Sequence, residues 1–193
     1  MIKIGITGGI GSGKSVVSAL ISMAGIPVYA ADDESKRLID ASPDIRRKLT
    51  DLIDETIFIN GKLNRRKLAS IIFSDEAILK QVNDIIHPVV MLDFNVWAKK
   101  QATDYCAMET AILYETGFDR EMDIILMVYA PIELRLTRAM QRDNATEADI
   151  LRRMNRQLPD ELIRKQADVE IINDGIHPLI PQVEHFVQLL TRE

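Results

Sequence analysis

Residues 8–15 read Gly8-Gly9-Ile10-Gly11-Ser12-Gly13-Lys14-Ser15, between an apolar run, Ile2 to Ile6, and a helix-patterned run, Val16 to Met23. A glycine, four variable residues, then glycine, lysine and a hydroxyl, set between a strand pattern and a helix pattern, make a phosphate-binding loop. Glycines let the backbone turn tightly enough for successive N–H groups to face inward, and the helix that follows adds the positive end of its dipole. In such a loop the Lys14 ammonium reaches the β- and γ-phosphates, and the Ser15 hydroxyl ligates Mg²⁺. A glycine-rich turn without a ligand is the blander reading, but it requires neither the lysine nor the serine. The stretch therefore predicts a nucleoside-triphosphate binder whose phosphates meet Gly9, Gly11, Ser12, Gly13, Lys14 and Ser15.

The length, 193 residues, suits one domain with room for a small inserted subdomain. With 24 basic and 29 acidic residues the formal charge is -5. That balance argues against a field built for nucleic acid or anionic lipid, so neither is expected as a partner. Cys106 is the single cysteine, which excludes an internal disulfide and fits a reducing compartment, with the cytoplasm as the expected location. No run of about 18 apolar residues suggests a membrane span. Lys3 and the glycines stand where a signal peptide needs an unbroken apolar stretch, so the mature chain is expected to begin at Met1. The expected state is a monomer or weak homo-oligomer acting on a small molecule.

Along the chain, Ile2–Thr7 reads as a buried strand, and Val16, Val17, Leu20 and Ile21 mark the first helix, which Gly25 ends. Residues 26–30 form a short second strand, followed by the acidic helix start Asp32-Asp33-Glu34. From 42 to 103 the pattern is mostly helical: Ser42-Pro43-Asp44 reads as an N-cap with proline at the first helical position, and Asn60-Gly61 as a turn. Ile78, Leu79, Val82, Ile85 and Ile86 mark one helical face, which His87-Pro88 is expected to interrupt. So much helix between two strands predicts an acceptor-side subdomain over about 42–103 standing off the sheet. Residues 105–110, 123–130 and 168–173 give three more strands, the last short, bearing Glu170 and expected at an edge. The apolar face of residues 179–190 gives the final helix. The fold class is α/β: a parallel five-stranded sheet of the P-loop NTPase type with helices on both faces, a helical subdomain and a helical lid.

Strand C-termini gather along the ligand crevice of such a sheet. Asp32 follows the second strand, so it either faces the γ-phosphate and orients or deprotonates an attacking hydroxyl, or it only caps a helix with Asp33. Asp33 is the better candidate for the cap. Glu109, near the end of the third strand, is a candidate for holding the metal's water shell. The similar run Ile171-Ile172-Asn173-Asp174 reads as loop structure because it comes late and near an edge. Arg138, Arg142, Arg152, Arg153 and Arg156 crowd the segment between Arg135 and Arg164. They form either a solvated face or a mobile lid, at about 138–165, that closes cations over the phosphates. His87, His177 and His185 lack metal-ligand spacing. Trp97 and Cys106 read as core.

The chain resembles the dephospho-CoA kinase family along nearly its whole length. The likeness runs through residues 5–15, the Ala31-Asp32 pair, Ile86-His87-Pro88, Ile112-Leu113-Tyr114-Glu115, the Arg138 to Gln157 stretch, Ala167-Asp168 and Ile171-Ile172-Asn173-Asp174-Gly175. It implies that ATP, with Mg²⁺, phosphorylates the ribose 3′-hydroxyl of dephospho-CoA. It implies a catalytic role for Asp32 and a nucleotide stretch from Gly11 through Val16. It places His87, Leu113 and Glu115 beside the acceptor, Arg138 and Arg142 in the lid, and Asn173 and Gly175 near the adenine. The chain departs from the family pattern at Ala30, where an acid is common, and at Ala111, Val16 and Glu170. These departures spare Lys14 and Asp32 and bear on metal affinity. Two other classes compete. A nucleotide switch would carry Asn-Lys-x-Asp for guanine, which is absent; a kinase for another acceptor would share the scaffold.

Overall fold

The structure, a computed structural model, describes residues 1–59 and 61–190. Strand β1 (Ile2–Thr7) leads through the glycine turn into α1 (Lys14–Met23), and β2 (Val28–Ala30) runs directly into α2 (Ala31–Ala41). After α3 (Pro43–Leu52) come the short strands β3 (Phe58–Ile59) and β4 (Lys62–Leu63), then α4 (Arg65–Ser74) and α5 (Glu76–Ala98). The remainder is β5 (Tyr105–Glu109), β6 (Ile124–Tyr129), α6 (Ile132–Asp143), α7 (Glu147–Met154), α8 (Asp160–Gln166), β7 (Val169–Ile172) and α9 (Leu179–Leu190). The chain divides into two compact units, Met1–Ala30 with the chain from Gln101 onward, and Ala31–Lys100.

The first unit is built on a parallel sheet in the order β2-β5-β1-β6-β7, so all five predicted strands are present and β7 lies at an edge. Strands buried on both faces must be apolar at successive positions, as Ile124-Ile125-Leu126-Met127-Val128 shows. Ile4, Ile6, Leu126 and Val128 form one core cluster with Val17 and Ile21 of α1 and Val183 and Phe186 of α9. Ile125 and Met127 alternate to the other side and are also buried. The parallel register sets Ile6 and Ala30 beside Glu109, so the chain leaves β1, β2 and β5 at one end of the sheet. Glu170, polar on the edge strand, pairs with Arg164 at 2.6 Å, and that guanidinium lies 4.2 Å from the Tyr129 ring centre.

The second unit is mainly helical. The Ser42 hydroxyl accepts from the Ile45 amide, with Pro43 opening α3, as the sequence pattern predicts. One expectation is corrected: α5 passes through His87-Pro88 as a continuous helix of 23 residues. Its buried positions are Val82, Ile86, Val90, Phe94 and Ala98, a four-residue spacing that runs unbroken past the proline. Pro88 lies on the exposed side, where water can satisfy the carbonyl that loses its helical donor. The β3–β4 pair, Phe58 opposite Leu63 and Ile59 opposite Lys62, is an addition to a segment read as mostly helical. Of the predicted Asn60-Gly61 turn, Asn60 lies outside the described residues, while Gly61 has φ +79°. Among the described residues no helix is long and apolar enough to cross a membrane.

Candidate active site

The glycine loop leaves β1 at Thr7 and ends at Gly13, which caps α1 in the left-handed conformation at φ +90°. Helices α3, α4, α5 and α7 each begin with a side chain accepting from the first turn: Ser42, Asn64, Asp75 and Thr146. Helix α1 has no such cap and no acid in its first turn. The positive end of its dipole therefore has no acid of its own first turn beside it, the arrangement that suits an external anion. A Cβ at Gly13 would overlap the Asn173 amide, so the close approach as well as the positive φ demands glycine.

Lys14 is 8% exposed, and its ammonium donates to the carbonyls of Gly8 at 2.8 Å and Gly9 at 3.3 Å. Ser12 is fully buried, and its hydroxyl oxygen has no hydrogen-bond partner among the described residues. A buried polar group left unsatisfied is costly, and an anionic oxygen in the loop would relieve it. Ser15 and Val16 are exposed on the first turn of α1. The loop is thus an anion receptor with its cation already in place.

Two sets of side chains hold the loop from outside. Asn173, just past β7, donates from its amide to the Ser12 carbonyl at 2.7 Å. Arg138 on α6 donates in turn to the Asn173 carbonyl at 3.1 Å and side-chain oxygen at 3.4 Å. Arg135, one turn earlier, donates from Nε to the Ile10 carbonyl at 3.0 Å and pairs with the Asp160 carboxylate. Gln157 accepts the Ile10 amide at 2.8 Å and donates to the Ala111 carbonyl at 2.7 Å. Arg135, Gln157 and Asp160 were not candidates on sequence grounds. The available signal was the three-residue spacing of Arg135 and Arg138, which puts both on one helical face.

The other predicted residues are distributed as follows. Arg142 is exposed and grips its neighbour Asp143 with two bonds, at 2.7 and 3.1 Å. Arg142, seconded by Arg153, holds the Asp143 carboxyl down to about 2. Glu109 ends β5 and is half-buried. Leu113 is fully buried beneath Gly5, while Glu115 accepts the Leu158 amide at 2.8 Å. Between them the Tyr114 hydroxyl is buried without a partner among the described residues, and burial pushes it up to about 12. Gly175 sits in an exposed turn with φ +84°, next to Asp174, whose carboxylate accepts from the Ile176 and His177 amides. Asp174 is therefore loop structure, as its position suggested. In the second unit Asp32 is exposed on the first turn of α2, two residues after β2 ends, and Asp33 pairs with Lys36 at 2.6 Å. His87 is half-buried on α5, and burial lowers its pKa against the pull of Asp84. Among the described residues no three His, Cys, Asp or Glu side chains form a metal cluster.

The family model for dephospho-CoA kinase matches residues 2–178. A Bacteroides fragilis protein named dephospho-CoA kinase is 50% identical over 190 residues, spanning 98% of this chain and 93% of its own. Its namesake from Porphyromonas gingivalis is 45% identical over 189 residues, 97% of this chain and 94% of its own. A crystal structure of a Thermus thermophilus protein superposes with TM-score 0.89 at 31% identity, covering 100% of this chain and 98% of that one. A dephospho-CoA kinase structure from Campylobacter jejuni, TM-score 0.70 at 21% identity over 97% and 96% of the two chains, shares the fold. With the glycine loop, its lysine and the parallel sheet in place, the chain belongs to the dephospho-CoA kinase family.

Proposed function

We infer that the chain transfers the γ-phosphoryl group of ATP to the ribose 3′-hydroxyl of dephospho-CoA, giving coenzyme A and ADP, the final step of coenzyme A synthesis. The observation that carries this reading is the family match through residues 2–178 on a chain that keeps the loop lysine and Asp32. Phosphoryl transfer asks a protein mainly for positioning and for charge where the transferred group becomes more anionic. Lys14 exchanges its two carbonyl acceptors for β- and γ-oxygens. The Ser12 hydroxyl and the first-turn amides of α1 donate to the same phosphates. Asp32 accepts a hydrogen bond from the 3′-hydroxyl and aims its lone pair at the γ-phosphorus as the bond to the β,γ-bridging oxygen breaks.

The residues suit Mg²⁺ arriving with the nucleotide, since that ion keeps several waters and takes one or two protein ligands besides phosphate oxygens. Ser15 would be its direct ligand and Glu109 would hold its water. Bound there, the ion would offset negative charge on the phosphates. Arg138 and Arg142 serve the lid, Arg142 leaving Asp143 for phosphate oxygens. Val16, Asn173 and Gly175 belong to the nucleotide side, and His87, Leu113 and Glu115 to the acceptor. The cytoplasm is the proposed compartment, in keeping with a lone buried thiol.

The test offers purified protein ATP and Mg²⁺ with dephospho-CoA, with AMP, or with no acceptor, and identifies products by mass. Coenzyme A forms only in the first mixture. Turnover with AMP alone would point to a nucleoside monophosphate kinase, and tight binding without acceptor-dependent turnover to a switch.

A further inference from the structure

A guanidinium withdrawn from water keeps its charge only where a counterion and acceptors replace the lost hydration. Arg135 is 4% exposed and has both, the Asp160 carboxylate at the start of α8 and the Ile10 carbonyl at the crest of the glycine loop. Its guanidinium lies against Gly9, where a Cβ would overlap Cζ and both terminal nitrogens. Its main chain lies against Gly11, where a Cβ would overlap the Arg135 carbonyl. Gln157 takes the remaining Ile10 amide. Both polar backbone groups of Ile10 are therefore committed to the α6–α8 segment, and its N–H is unavailable to phosphate. An apolar side chain at position 135 could fill the same space without desolvating a charge, so volume alone does not explain an arginine there.

We propose that Arg135, with Asp160 as its counterion, is a positioning residue for phosphoryl transfer: it fixes the curvature of residues 9–11 so that the loop's donors face the triphosphate before it arrives. Donors held in place need no reorganisation as charge develops, and a preformed loop loses no binding free energy to ordering. Arg135 touches no reacting atom; it acts through Gly9, Ile10 and Gly11. The two glycines acquire a second reason to be glycine, since Arg135 fills the space a side chain would need.

The inference rests on the ATP-dependent reading, which the wild type tests separately by binding ATP and forming coenzyme A. Calorimetry then measures ATP affinity without acceptor for Arg135→Ala, Gly9→Ala, the double variant and Asp160→Asn, with folding followed by thermal melting. Each of the first two weakens ATP by about tenfold, the size of one charged hydrogen bond, and the double variant is no weaker than either. Asp160→Asn keeps the shape, removes the counterion, weakens ATP several-fold and leaves KM for dephospho-CoA within about twofold. Losses that multiply to about a hundredfold in the double variant, or unchanged ATP affinity in folded Arg135→Ala or Asp160→Asn, overturn the proposal.

Discussion

Lys14 rests against the carbonyls of Gly8 and Gly9, and on the proposed reading a triphosphate offers it anionic acceptors, which make the stronger hydrogen bonds. Lys14→Ala is therefore expected to abolish turnover. Asp32→Asn keeps the shape of the side chain but loses its charge, and kcat should fall by about 10²–10³ while ATP affinity stays near wild type. Steady-state kinetics beside equilibrium ATP binding checks both. His87 carries a different expectation. Burial lowers its pKa, so on acidification the unfolded chain takes up the proton first. The stabilisation is complete above the ordinary imidazole value of about 6.5 and is lost as pH falls through the folded value. The urea midpoint should drop as pH falls below about 6.5, and His87→Gln should flatten that part of the profile. Lys14 was readable in the chain because its motif is local. Arg135 was not, because its partners Ile10 and Asp160 lie far away in sequence and only the fold brings them together.

Helix α5 shows what local pattern does and does not decide. Its start is plain: Asp75 accepts from the Ala77 amide at 2.9 Å and the Ile78 amide at 3.1 Å. Asp75→Ala should cost about 1 kcal/mol of unfolding free energy, read from denaturant titration, with turnover unchanged once the protein is folded. The middle was misread at Pro88, because propensity sees a missing donor and not the apolar stripe that buries the helix on either side. The β3–β4 pair escaped notice for a related reason. Two residues per strand leave no alternation to detect, and Phe58 gains its partner Arg46, 5.2 Å from the ring centre, only through tertiary packing. The strands of the sheet were legible because apolar residues dominate each of them, whereas their order follows from pairings that no short segment contains.

At the scale of the molecule, one unit carries the sheet, the phosphate loop and the arginine-bearing helices, and the other is an insertion between β2 and β5. Ala139, Ile150 and Met154 give α6 and α7 a small core of their own, with Ile10 and Leu136 packed against it. On the proposed lid reading, that core makes α6 and α7 one packed piece. ATP should protect residues 138 to 160 from proteolysis, and unchanged cleavage at saturating nucleotide would count against a lid. Phosphorus NMR of the working reaction reads the destination of the phosphoryl group directly. As the γ-signal of ATP declines, a phosphomonoester resonance coupled to the ribose 3′ proton of the acceptor should grow in equal measure. Loss of the γ-signal at the same rate without dephospho-CoA, with inorganic phosphate as the product, would contradict the account.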